Sequence, residues 1–115
     1  MSLLADLKTI LTNLKIPCQT GHMETKPVGS TYAVLIPLTS ELMYCDNYPE
    51  QDIQGVRIAL YTKLSYTSLA RSIEKALADA EISMSARQYI EYEADTGYHH
   101  YAIDAENNYQ FITEE

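Results

Sequence analysis

The stretch "ARQYIEYEADTGYHHYAIDAE", residues 86–106, decides how this chain folds. It holds Asp95-Thr96-Gly97, the triplet of aspartic proteases, and two histidines, His99 and His100, that invite a metal. It also holds two alternating apolar runs around a Gly, which is the pattern of a β-hairpin. In a protease built from two such chains, the triplet follows an apolar strand and its carboxylates share a proton. Here it follows "EYEA", with eighteen residues behind it. The turn explains more: Asp accepts bonds from backbone amides, and Gly takes positive φ without steric cost.

Loop length sets the register. A three-residue loop would put Ile90, Tyr92 and Ala94 on the face of His100 and Asp104. A four-residue loop over 95–98 pairs Ile90 with Ile103, Tyr92 with Tyr101 and Ala94 with His99, which gathers the apolar residues on one face. That register is the expectation, with Glu93 opposite His100. Neighbours on a strand point to opposite faces, so His99 and His100 cannot share one ion. Cys18 and His22 have a ligand-like spacing but no second pair to complete a site. No metal and no cofactor is expected.

Working outward, residues 2–15 read as an amphipathic helix with Leu3, Leu7, Leu11 and Leu14 at helical spacing. Ser2 caps it, and Pro17 stops it. "CQTGHMETKPVGS" (18–30) reads as a loop rich in breakers. "TYAVLIPL" (31–38) is a buried strand, with Pro37 ending it or meeting an edge. "TSELMYCDNYPEQD" (39–52) reads as a short strand and an acidic, tyrosine-bearing loop. "IQGVRIALYT" (53–62) alternates: Val56, Ile58 and Leu60 one way, Arg57, Ala59 and Tyr61 the other. Gly55 suggests a bulge. Residues 66–81 form a second helix, capped by Ser65, with Leu69, Ile73, Ala76, Leu77 and Ala80 on its buried stripe. The predicted class is α+β: two helices on a mostly antiparallel sheet, in the order α-β-β-α-β-β. The 115 residues suit a single domain, 1–115, with 107–115 as an acidic tail.

The composition, 46% apolar and 21% charged, is that of a globular chain. No run approaches the roughly 18 apolar residues of a membrane span. The N-terminus reads as a folded helix, not a signal peptide, so the protein is expected in the cytosol with Cys18 and Cys45 reduced. Net charge is −8, and nothing after Arg87 is Lys or Arg, whereas seven carboxylates lie there. Phosphate binding needs clustered cations, so this surface would repel DNA. Glu91 and Glu93 share a strand face, as a general acid–base pair would, and also as any wet face does. There is no phosphate loop and no nucleophile elbow, so no enzyme is expected. Ten Tyr accompany one Phe and no Trp. Tyr has an apolar body and a polar tip, which suits partner surfaces. Tyr89, Tyr92 and Tyr101 fit a core margin. Tyr44 and Tyr48, with Asp46 and Asp52 beside them, are the interface candidates.

"TYAVLIPL", "YCDN", "IQGVRIALYTK", "LARSIEKALADAEI" and "QYIEYEADTGYHHYAIDAE", in this order, resemble small prophage structural proteins of long-tailed phages of Gram-positive bacteria. These are tail-terminator (tail-completion) and head–tail joining components. The resemblance spans roughly residues 30–106 and is sharpest at "LYTK" and the terminal hairpin. It implies a ring, commonly a hexamer, that caps the tail tube and meets the head connector. Its partners would be its own copies, the tail tube protein and the head–tail connector, with no membrane and no sequence-specific nucleic acid. It implies a life in the bacterial cytoplasm during assembly and then in the virion. An acidic lumen of Glu91, Glu93 and Asp104 would let DNA slide. The alternative is a small acidic binding module that sequesters a basic partner or mimics DNA.

Overall fold

A computed structural model describes residues 2–20, 30–45 and 48–110, without the side chains of 39, 40, 45, 48–50 and 110. Among these residues two helices and five strands follow in the order α1 (Leu3–Asn13), β1 (Cys18–Thr20), β2 (Thr31–Cys45), β3 (Tyr48–Thr62), α2 (Tyr66–Asp79), β4 (Ser83–Glu93) and β5 (Tyr98–Gln110). The class is α+β, as expected, but the order is α-β-β-β-α-β-β. The sheet runs β1-β2-β3-β5-β4. Only β1 and β2 are parallel; the other three pairings are antiparallel.

Both helices lie on one sheet face. Leu3, Leu7 and Leu11 of α1 and Ile73 and Leu77 of α2 are buried against Ala33, Leu35, Val56, Ile58, Leu60, Ile103 and Ala105. The Ser2 hydroxyl accepts from the Ala5 amide at 3.2 Å, and the Leu3 amide donates to Gln54 Oε1 at 2.8 Å. The helices end alike. Lys15 (φ 64°) and Glu81 (φ 61°) take left-handed backbone, and the next residues, Ile16 and Ile82, donate back to Leu11 and Leu77. Each isoleucine then enters the core at 4% exposure. This is the Schellman stop, made here without its usual Gly. It ends α1 before Pro17 is reached.

Three expectations are corrected. Residues 18–20 leave the predicted loop and form β1, because Gln19 and its neighbours pair in parallel with Ala33–Leu35; His22 and the rest of that loop lie outside the described residues. Of 39–52, expected as a short strand and an acidic loop, residues 39–45 and 48–52 are strand, and 46 and 47 lie outside the described residues; β2 and β3 each run 15 residues, roughly 50 Å. Helices of 11 and 14 residues, about 16 and 21 Å long, cannot cover it all. The molecule is accordingly elongated, 53 × 27 × 24 Å. The predicted tail begins too early, since β5 runs to Gln110 and pairs with Gln51; 111–115 lie outside the described residues. β2 does not end at Pro37 but runs on to Cys45, and the described part of β1 pairs with it as far as Leu35. The bulge lies on β2 between Pro37 and Thr39, opposite Gly55.

Candidate functional site

The terminal hairpin forms, with a four-residue loop displaced by one: Glu93 pairs with Tyr98 across residues 94–97. Gly97 (φ 81°) and Thr96 donate their amides to the Glu93 carbonyl at 2.7 and 3.2 Å. The Thr96 hydroxyl donates to Glu93 Oε1 at 3.0 Å. Glu93, not Asp95, therefore ties the turn; Asp95 is exposed. The expected pairs are corrected throughout. Tyr92 faces His99, Tyr89 faces Tyr101, and Glu91 rather than Glu93 faces His100. Ile90 is the extra residue of a register shift between Tyr89 and Glu91 and is 37% exposed, not paired with Ile103. The apolar pattern misled because β4 is an edge strand, and every residue from Ser83 to Tyr92 is exposed. With neither face buried, burial does not set register.

The tyrosines split into two groups. On the helix side, Tyr66, Tyr89 and Tyr92 surround His99 and Tyr101 packs on Tyr66, with Tyr66–Tyr89 centroids 5.0 Å apart. The Tyr89 hydroxyl and His99 Nδ1 lie 3.0 Å apart. Of the three residues expected at the core margin, Tyr101 packs on the core, whereas Tyr89 and Tyr92 are exposed. On the other face no described helix covers the sheet. There Tyr32 stacks on Tyr61 at 4.8 Å, Tyr61 stacks on His100 at 4.2 Å, and Tyr98 meets Tyr32 edge-on. Lys63 Nζ lies 5.0 Å from the centre of the Tyr98 ring. Burial lowers the His100 pKa, and Glu93 and Glu91 partly oppose it. The histidines thus sit on opposite faces.

The three candidate lumen carboxylates, Glu91, Glu93 and Asp104, all lie on this open face, since they pair with or stand on the strand positions of His100, Tyr98 and Arg57. They are not alike. Glu91, Glu93 and Asp95 line an open hollow of about 380 Å³ at the turn. Asp104 is bound by Arg57 in a two-point ion pair, Nε–Oδ1 2.7 Å and Nη2–Oδ2 3.2 Å. Asp104 thereby raises the Arg57 pKa further. Asp104 is a structural partner and not a free lumen charge.

Of the interface candidates, Tyr44 is exposed at 62%, on β2 near the hairpin end. Tyr48 starts β3, with its side chain undescribed, and Asp46 lies outside the described residues. Asp52 is half-buried and accepts from Gln54 Nε2 at 2.9 Å, so it belongs to the support of α1 more than to a free surface. The sequence reading missed the neighbours of Tyr44: Leu38, Leu42 and Met43, exposed at 40–51%. Their signal was a second apolar cluster, Leu42-Met43-Tyr44-Cys45, beyond Thr39-Ser40-Glu41.

Among the described residues no three of His, Cys, Asp and Glu gather as metal ligands. None of the described helices is long and apolar enough to cross a membrane. Burial pushes the Cys18 thiol up, away from thiolate chemistry. No protein-family model matches this chain, and no curated protein does. Among solved structures the chain is similar to one from "Virion of native gene transfer agent (GTA) particle", at 10% identity and a TM-score of 0.45, covering 96% of this chain and 87% of that one. Ten per cent identity leaves no residue role to carry from that chain to this one.

Proposed function

We propose that this chain is a structural subunit of a phage-like virion, a tail terminator or head–tail joining component that works through interfaces. The observation that supports it best is the β2–β3 hairpin. Every described side chain from Ile36 to Tyr44 is exposed, and Leu38, Leu42, Met43 and Tyr44 give its outer part an apolar surface. Neighbours on a strand point to opposite faces, so Leu42 and Met43 leave apolar groups exposed on both faces of the outer hairpin, and such exposure marks an interaction site or a liability. In this reading the hairpin meets the tail tube protein or the connector, and copies of the chain close a ring. Six copies would carry about −48, six times the charge of one chain. Glu91 and Glu93 on the open face would line the DNA path, where like charge prevents sticking. The role involves no catalysis, no cofactor and no membrane.

The test is Leu42→Asp with Met43→Asp. Neither residue is in the core, so urea stability should change by about 0.5 kcal/mol or less, while assembly onto tail tubes is lost. Normal assembly by this variant would overturn the hairpin's role. Light scattering that shows a strict monomer, together with tight binding to a basic protein, would favour the acidic binding module. A peptidase activity abolished by Asp95→Asn would overturn both.

A further inference from the structure

Three hydrogen-bonded rows cross the whole sheet without a break. Cys18, Ala33, Leu60, Tyr101 and Tyr89 form one; Gln19, Val34, Ala59, Ala102 and Gln88 the next; Thr20, Leu35, Ile58, Ile103 and Arg87 the third. Each row starts on β1 and ends on β4, the two edges of the sheet among the described residues. On β4 these rows fall within the one regular stretch, Ala86–Tyr89, between register shifts at Met84/Ala86 and Tyr89/Glu91. Long exposed edges invite pairing, and bulges are a common device that blunts them. Here the two register shifts leave between them a regular segment, Ala86–Tyr89, about as long as β1.

We propose that β4 of one copy pairs with β1 of the next, Tyr89 opposite Cys18, Gln88 opposite Gln19 and Arg87 opposite Thr20, so that the sheet continues around the assembly. The inference deepens the ring reading above and rests on it. Strand direction agrees. β1, β2 and β5 run one way and β3 and β4 the other, so copies related by rotation about an axis along the strands meet antiparallel. The contact is head-to-tail, the type that closes rings. Charge agrees as well. Lys15 is exposed just before β1, and Glu91 and Glu93 lie just after the regular stretch of β4. Antiparallel pairing brings these ends together. The occupant of the β4 edge is thus a second copy of this chain, joined by main-chain bonds.

Disulfide trapping tests it. Gln19→Cys and Gln88→Cys are combined, with Cys18 and Cys45 changed to Ser. Within one chain the two positions are four strand spacings apart, about 19 Å, too far for a disulfide. Opposite each other across antiparallel strands they are close enough. Mild oxidation should give a ladder of covalently linked chains that reductant collapses. Replacing Gln88→Cys by Ser83→Cys, about 16 Å along β4, should give none. If that variant fails to fold, Tyr89→Cys against native Cys18, with Cys45→Ser, repeats the test one row over. Lys15→Glu should raise the concentration for half-assembly roughly two- to fivefold, and adding Glu91→Lys should restore it.

No ladder in a preparation that light scattering shows to be multimeric overturns the edge pairing and leaves the ring standing. A covalent dimer that also forms with Gln88→Cys alone means that β4 meets β4, and overturns it. An equal ladder from Ser83→Cys does the same. A ladder in unbounded polymers upholds the edge pairing and sinks the ring. A protein that is monomeric at every concentration and gives no ladder sinks both.

Discussion

Removing either partner of the Arg57–Asp104 pair should destabilise the fold, and the two removals should cost different amounts. The pair bridges β3 and β5 at directly opposed positions. Its two contacts, at 2.7 and 3.2 Å, make it a two-point, charge-assisted interaction. The Asp104 side chain is 14% exposed and the Arg57 side chain 41%. Arg57→Ala therefore strands a carboxylate that water barely reaches, at a cost of about 2–3 kcal/mol. Asp104→Ala strands a guanidinium that can turn to water, at a cost of about 1 kcal/mol. The double variant should show a coupling of about 1 kcal/mol. Urea unfolding followed by circular dichroism measures all four corners of the cycle. Partial burial limits screening, so most of the coupling should survive in about 1 M salt. A coupling near zero, or Asp104→Ala costing more than Arg57→Ala, would refute the reasoning. The result bears on function. Reversing Asp104 to Lys would set two cations side by side and damage the fold, so a test of DNA passage leaves Asp104 unchanged.

Two further predictions concern stability. Burial raises the Tyr32 and Tyr109 pKa values to about 12, the latter helped by donation from its hydroxyl to Asp6 Oδ2 at 2.6 Å. A hydroxyl whose folded pKa exceeds its unfolded value of about 10 contributes fully below pH 10 and loses that contribution as pH rises through 12. Stability should accordingly fall across that window, by about 1 kcal/mol per residue once solvent screening is allowed for, and Tyr32→Phe and Tyr109→Phe should each flatten the fall; an unchanged slope refutes the assignment. Lys15→Gly and Glu81→Gly remove the penalty of left-handed backbone at the two helix stops, and each should raise stability by about 0.5–1 kcal/mol in thermal melts. A loss at both sites would show that the stops are not strained.

The features legible in the sequence were those governed by a buried face. The leucines of α1, Ile73 and Leu77 of α2 and the alternation of Val56, Ile58 and Leu60 each place apolar groups at one period, because one side of each element lies in the core; Ala80, expected on the α2 stripe, is exposed, and Ala70 is buried instead. Ser2 and Ser65 were readable as caps because their hydroxyls act on amides three residues away. The hairpin of 86–106 was legible as a hairpin, since Gly97 answers a local need for positive φ. Its register was not. β4 is wet on both sides, so its apolar residues carry no information about which way they point. The length of β2 and β3 was hidden for the same reason, because their outer halves lack a helix to impose a period. The Arg57–Asp104 pair joins residues 47 apart in sequence, and nothing local announces it. Nor does any local pattern reveal that Cys18–Thr20 and Arg87–Tyr89 end the same three rows. Periodicity reports one element against one core; which edges remain open, and in what register, depends on the order in which five strands lie side by side.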